Sequence, residues 1–374
     1  MEQDVNKYNR VILIGNGFDL SMGLKTSYSD FVLHLFKDAL KQIYSGNELK
    51  SDFFKARNKV VAFTSHRPFL ENLERCTSLD DLKDLEDGKV FSSLECKDVF
   101  FKKIVNHFID YNWVDIENLY YKDLRLMHTA IINNITSDGD PLRLLNELNH
   151  SIDLLTKALT LYLQKQVNKE PTMSFVNKST SLLSDIFKPM RSQDYETTWS
   201  VKNVTPADHF LFLNFNYTSV LTQALEGNLN LTKNTFKVKV NHIHGKLDSI
   251  NNPPIFGYGD DTNEEYVKLE NDGRNELLQK IKSFQYPRTR NYHNFLGFIE
   301  SAPYEVFVVG HSCGLSDKTL LQTLFEHRHC MAIKNFHYQG EEEDFNKRMS
   351  IARIFTDKTL MRRLVLPFDE TAKM

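Results

Sequence analysis

Near the start of the chain, Arg10-Val11-Ile12-Leu13-Ile14 runs straight into Gly15-Asn16-Gly17-Phe18-Asp19. The apolar run is too short for a helix and rich in β-branched side chains, so it predicts a buried strand. Gly15 and Gly17 permit a tight turn and a close approach of a ligand to the backbone. The amphipathic segment behind them predicts a helix whose first N–H groups face that ligand. Strand, glycine turn and helix in that order point to an α/β fold and to the usual opening of a nucleotide-binding domain. Two glycines at such a junction also serve packing alone, and both readings stand at this point.

The rest of the chain tells how that first unit is completed. Residues 29–40 carry Phe31, Val32, Leu35, Phe36 and Leu40 at helical spacing. From about 47 to 200 strand patterning is almost absent. Residues 80–85, 96–108 and 113–135 read as helices, the last with Trp113, Ile116, Tyr120, Leu124 and Met127 at three- and four-residue steps. Leu144, Leu148, Ile152, Leu155, Leu159 and Tyr162 form one apolar stripe on one long helix. Residues 167–200 are polar and irregular and read as a linker or loop. Strand patterns return at 210–215, 236–243, 255–257 and 306–310, with later ones at 331–338 and 362–366. Helices are expected at 318–327 and 345–355. Alternating strands and helices imply a parallel sheet covered on both faces. The expectation is an α/β, Rossmann-like parallel sheet with a large helical insertion after the first βα unit: residues 1–46 form that unit, 47–200 the insertion and 201–374 the remainder.

Composition limits the partners. A formal net charge of −3 over 374 residues leaves no basic footprint for duplex nucleic acid. The longest apolar runs, such as Val306-Phe307-Val308-Val309, are far too short to span a bilayer. The N-terminus lacks a charged-then-apolar leader, so a cytoplasmic location is expected. Cys76, Cys96, Cys313 and Cys330 form no C-x-x-C pair and suit neither a zinc ribbon nor a disulfide framework, in keeping with a reducing compartment.

Ligands of open α/β sheets sit outside the carboxyl ends of the strands. The residues directly behind the expected strands are therefore the candidates. They are Gly15-Asn16-Gly17-Phe18-Asp19, then Asn214-Phe215-Asn216-Tyr217-Thr218, then His242-Ile243-His244-Gly245, and then Gly310-His311-Ser312-Cys313-Gly314-Leu315-Ser316-Asp317. Each has a plain structural alternative. Asp19 is also a reasonable N-cap, Asn216 a turn residue, His244 a loop histidine, and Ser312 or Ser316 a cap for the next helix. Their conjunction at four strand ends predicts one cleft.

These blocks resemble the AbiH family of bacterial proteins associated with abortive infection against bacteriophage. The resemblance rests on Gly15-Asn16-Gly17-Phe18-Asp19 followed by Gly23-Leu24-Lys25-Thr26-Ser27-Tyr28-Ser29-Asp30-Phe31, on the three later blocks, and on Trp113 with Glu117. The order of blocks is also similar, more distantly, to sirtuins and sirtuin-like defence enzymes, which bind NAD on a Rossmann-like fold. Gly15, Gly17, Gly23, Asp30 and Phe31 fill comparable places, as do Asn216-Tyr217, His244-Gly245 and Gly310 with Ser312 and Asp317. The departures are Asn16 for alanine, Asp19 for serine, Thr218 for aspartate, extra residues before Asp30, and missing zinc-binding cysteine pairs. They argue against a protein deacylase.

The resemblance implies NAD as substrate or ligand and no metal. His244 is then the base and Asn216 positions ribose or water, with His311 a second base candidate. Gly15, Asn16, Gly17, Asp19, Tyr28, Asp30, Gly245, Gly310, His311, Ser312 and Asp317 would line the nucleotide site. Glu117 is either a further cleft residue or a structural carboxylate. A phage-derived trigger or partner protein and a homo-oligomer are also implied. Three readings remain at this stage: an NAD glycohydrolase-like defence enzyme, a nucleotide-binding sensor without turnover, and a metal-dependent nuclease.

Overall fold

The first strand, β1 (Lys7–Ile14), lies at the centre of a five-stranded sheet. Its neighbours come from far along the chain: β4 (Thr205–Asn214) on one side and β6 (Tyr304–Val309) on the other. The outer strands are β5 (Lys237–His242) and β7 (Cys330–Asn335), giving the order β5-β4-β1-β6-β7 with every pair parallel. This computed structural model describes residues 7–57, 67–85, 93–111, 115–135, 139–167, 172–191, 194, 205–232 and 236–374. The chain divides into two units, residues 1–24 with 163–374, and residues 25–162.

Period-two alternation sends the apolar residues of β1, β4 and β6 to both faces of the first unit's sheet, and both faces are buried along these strands, whereas edge strand β5 is largely exposed. Ile12, Ile14, Phe210, Phe212, Phe307 and Val309 belong to one core layer. Val11, Leu13, Leu211, Leu213, Val306 and Val308 belong to the other. The first layer packs on helices Met173–Phe187 and Val220–Gly227 through residues such as Leu183 and Leu221. The second packs on Asn291–Ser301, Lys318–Phe325 and Glu341–Ile354 through Phe295, Leu320 and Ile351. One charge pair is sealed into the first layer. Arg10 and Glu305 sit side by side in the β1–β6 register and are 1% and 0% exposed. Arg10 also donates to the carbonyl oxygens of Ile186 and Lys188 and lies 4.0 Å from the Phe307 ring centroid.

Register sets the functional end of the sheet. His242, Asn214, Ile14 and Val309 stand in one row across β5, β4, β1 and β6. The polar blocks behind these strands therefore leave the sheet together.

The second unit is mainly helical, with Tyr28–Tyr44, Arg67–Arg75, Leu79–Asp84, Val99–Tyr111, Ile116–Ile132 and the greater part of Pro141–Val167. The expected stripe is buried at Leu148, Ile152, Leu155, Leu159 and Tyr162, and Leu144 is half-buried. The near-absence of strand in this region is corrected by a short antiparallel pair, β2 (Phe54–Ala56) and β3 (Leu94–Cys96). Cys96 thus ends a strand instead of opening a helix. Phe54 rests its ring 4.8 Å from Phe36 and 5.2 Å from Phe101, so aromatic packing anchors that pair. Trp113 lies outside the described residues, and the helix behind it starts at Ile116 with Asp115 accepting from the Asn118 N–H.

Three further expectations need correction. The segment read as a linker holds the helix Met173–Phe187, whose Phe175, Leu182, Leu183, Ile186 and Phe187 are buried behind a polar outer face. Residues 362–366 are mostly the end of helix Lys358–Leu364, started by the Asp357 carboxylate accepting from the Thr359 and Leu360 N–H groups. Residues 255–257 are irregular, and the pairing there is a single bridge between Tyr258 and Ile281.

Candidate active site

At the end of β1 the chain turns at Gly15 into the short helix Asn16–Ser21. A Cβ at Gly15 would stand 2.5 Å from His311 Cα, and one at Gly17 2.8 Å from Gly310 Cα. Gly310 has φ +70°, and a Cβ there would stand 2.2 Å from the Phe18 nitrogen. The three glycines let the turns after β1 and β6 close on each other. The Gly17 N–H donates to Gly310 O at 2.8 Å, so it is engaged inside the protein. Asn16 is exposed at the start of the helix.

Asp19, one turn along, is buried. Its Oδ1 accepts from Asn216 Nδ2 at 2.8 Å and its Oδ2 from Thr218 Oγ1 at 2.6 Å. Burial pushes the carboxyl up to about 7, against the two hydrogen bonds, which favour the ionised form. Asn216 Nδ2 also donates to Gly15 O at 3.0 Å, which engages both amide hydrogens. The turn that presents Asn216 is itself fixed, because Asn214 Oδ1 accepts from the Asn216 N–H at 3.0 Å.

A second cluster surrounds Asp317. The Lys282 ammonium is 2.7 Å from Asp317 Oδ1, His244 Nε2 is 3.3 Å from the same oxygen, and His311 Nε2 is 3.5 Å from Oδ2. All four side chains are buried. Burial by itself would raise the Asp317 carboxyl. The Lys282 charge, and after it His244, outweigh that and hold it well below the usual carboxylate range. Burial pulls His244 down to about 4; Lys282 adds to the effect and Asp317 opposes it. His311 is lowered chiefly by burial as well. Both rings are therefore neutral near pH 7.

The hydrogen-bond network assigns the tautomers. His311 Nδ1 accepts from the Cys313 N–H at 3.0 Å, which puts its proton on Nε2, toward Asp317. The His244 ring makes its contacts through Nε2, to Asp317 and to the Tyr286 hydroxyl at 3.4 Å. With Nε2–H directed at the carboxylate, Nδ1 is the nitrogen left to accept a proton. His244 is thus the better base of the two, since both nitrogens of His311 are occupied. Phe215 joins the clusters, with its ring centroid 4.8 Å from His244 and 4.1 Å from His311. Tyr286 lies near-parallel to His244 and stacks on Tyr292.

The structure therefore brings together Gly15, Gly17, Asp19, Asn216, His244, Gly245, Gly310, His311 and Asp317. Gly245, at φ +88°, lets the turn after β5 meet Pro253, whose O would be 2.1 Å from a Cβ there. Ser312 is exposed on the same turn as His311. Tyr28 and Asp30 belong to the second unit, where Asp30 closes a capping box with Ser27. Glu117 lies buried in the first turn of Ile116–Ile132 in that unit. Lys282 and Tyr286 were not among the candidates; both stand in short turns about 40 residues after β5, with no motif around them.

Among the described residues, no group of three or more His, Cys, Asp and Glu side chains is arranged to hold a metal ion. Among them, too, no helix is long and apolar enough to cross a membrane.

The blocks that build these clusters lie within one stretch that matches a known family. A family model described as "Bacteriophage abortive infection AbiH" covers residues 11–338. The chain belongs to the AbiH family. Its membership assigns it a role in abortive infection of phage-infected cells. The matched stretch contains Asp19, Asn216, His244, Lys282, His311 and Asp317, so in this AbiH member both clusters lie inside the family region. Comparison with curated proteins finds no match.

Proposed function

We propose that the chain serves abortive infection by hydrolysing the N-glycosidic bond between nicotinamide and ribose in NAD or a related nucleotide. The observation that carries this reading is the His244–Asp317 pair at the carboxyl end of a parallel sheet. That sheet changes direction between β1 and β6, and such switch points are where open α/β sheets take nucleotides. Water attacks the anomeric carbon of the ribose and its proton passes to His244 Nδ1. The carbon–nitrogen bond breaks, and nicotinamide leaves with the bonding pair as a neutral molecule. Asp317 holds the His244 ring and stabilises the imidazolium that forms.

Asn216 enters through one atom. With both amide hydrogens engaged, its Oδ1 is what would accept from a ribose hydroxyl. Gly15, Gly17 and Gly310 act as spacers between turns, Gly245 does the same against Pro253, and Asn16 and Ser312 are exposed behind β1 and β6. Two of the departures from the sirtuin-like pattern compensate each other. Aspartate stands for serine at Asp19 and threonine for aspartate at Thr218, and the exchanged groups hydrogen-bond. On the nuclease reading, the place beside Asp317 where a metal would sit holds the Lys282 ammonium.

A nucleotide sensor without turnover is the second reading. The Asp19–Thr218 pair favours it, because both residues depart from the sirtuin-like pattern of NAD-cleaving enzymes while still forming a buried contact in the turn. The deciding experiment incubates the purified chain with NAD and follows nicotinamide release. The expected result is turnover that falls roughly 100-fold or more in His244→Ala, in the range a general base contributes. Melting-temperature elevation by NAD without release would favour the sensor. Neither release nor a thermal shift would remove NAD from both readings.

A further inference from the structure

The buried Lys282 has no part in the chemistry just described, yet it sits at its centre. A lysine taken fully out of water is costly unless its charge is matched. Lys282 is 1% exposed, and its ammonium lies 2.7 Å from Asp317 Oδ1. Its placement is over-determined. The Lys282 N–H donates to Tyr258 O at 2.9 Å, and the Tyr258 N–H to Lys280 O at 3.1 Å. Gly257, at φ +155°, lets Lys280 pass close, since a Cβ there would be 2.0 Å from Lys280 O. The Thr319 N–H donates to Gly259 O at 3.1 Å, tying the same stretch to the helix behind Asp317. Three segments distant in sequence thus hold one ammonium against one carboxylate.

We infer that Lys282 is the positioning residue that sets the proton state of His244. Its ammonium keeps Asp317 a carboxylate, and that carboxylate draws the ring proton of His244 onto Nε2 and leaves Nδ1 as the acceptor. Lys282 touches no reacting atom in this scheme; it acts through Asp317. The charges and titratable groups around the ring are Lys282, Asp317 and His311, with Tyr286 on the turn beside it and Lys347 bound to His311 O at 2.6 Å. Of these, Lys282 is the cation in contact with the carboxylate that His244 faces. The inference rests on His244 as the base, and its test is independent of turnover.

The experiment is histidine-selective 15N NMR on the full chain, with His244 assigned by the signal missing in His244→Gln. Wild type should show a neutral Nε2–H ring down to about pH 5. In Lys282→Met the His244 midpoint should rise by roughly one pH unit or more, the usual effect of removing a cation at this range. Lys282→Arg should restore the wild-type midpoint and tautomer. An unchanged midpoint and tautomer in folded Lys282→Met overturns the inference, whether or not NAD is cleaved. Should that variant fail to fold, Lys282→Gln removes the charge while keeping a donor toward Asp317. A raised His244 midpoint is then expected, and an unchanged midpoint and tautomer overturn the inference.

Discussion

The Thr218 hydroxyl donates to Asp19 Oδ2 at 2.6 Å, fastening the turn after β4 to the helix after β1. Two residues 199 apart in sequence thereby share one buried hydrogen bond. Thr218→Val keeps the shape and removes the donor. It should cost about 1–3 kcal/mol, the penalty of a buried acceptor left short of a partner. Thr218→Ser should recover most of that. Urea denaturation of the three proteins at pH 8, where Asp19 is ionised, checks the ordering.

Asp19 and His244 pull stability in opposite directions over the same pH range. The Asp19 carboxyl titrates near 7 when folded, above its ordinary value of 3.8, so the folded state holds the extra proton. Its contribution is complete below its ordinary value and is lost as pH rises through 7. His244 titrates near 4 when folded, below its ordinary 6.5, so the unfolded state holds the extra proton. Its contribution is complete above 6.5 and is lost as pH falls toward 4. Asp19→Asn should therefore steepen the rise of melting temperature from pH 4.5 to 6.5, and His244→Gln should flatten or invert it. Thermal melts across that range test both slopes; parallel curves for all three proteins would contradict them.

Gly310→Ala should be among the most damaging substitutions in the turns behind the sheet. Its Cβ would lie 2.2 Å from the Phe18 nitrogen at a left-handed φ of +70°, with backbone that cannot move aside. The expected outcome is loss of soluble protein, or a cost above about 4 kcal/mol. Gly23→Ala provides the control. It shares a positive φ, +90°, but has nothing within 4 Å of the new atom. It should cost only the conformational strain, about 1–2 kcal/mol. Soluble yield and melting temperature separate the two.

Arg10→Met leaves Glu305 buried without its counter-charge. The expected loss is about 3–5 kcal/mol, as for other broken buried pairs. Adding Glu305→Met should return most of it, because the pair is enclosed by Phe210 and Phe307 in an apolar layer. Denaturation of wild type, single and double variants measures the coupling.

The sheet was legible because its strands are short apolar runs with polar ends. Asp19, Asn216, His244, His311 and Asp317 were legible for the same reason: each lies in the block of polar residues that directly follows a strand's carboxyl end, and register brings those ends into one row. Lys282 escaped the reading. A lysine in a polar stretch gives no periodic signal, and only the bridge between Tyr258 and Ile281 turns it inward. Helix Met173–Phe187 was hidden by the Ser, Thr, Asn and Lys residues interleaved with its apolar face. At Lys358–Leu364 the signal was present in Asp357, whose side chain starts the helix, but the Leu-Val-Leu run at 364–366 outweighed it. The division at residues 24 and 163 could not be read, because it depends on which side chains meet in space.

The central place of β1 has a consequence for synthesis. Ile14 pairs with Asn214, some 200 residues later, and with Val309, later still. At the usual 5–20 residues per second, the ribosome needs roughly 10–40 s to supply even the first of these partners. Through that interval this apolar strand has two unpaired edges in the nascent chain. Shelter of β1 during translation is therefore expected to influence how much of the chain reaches its fold.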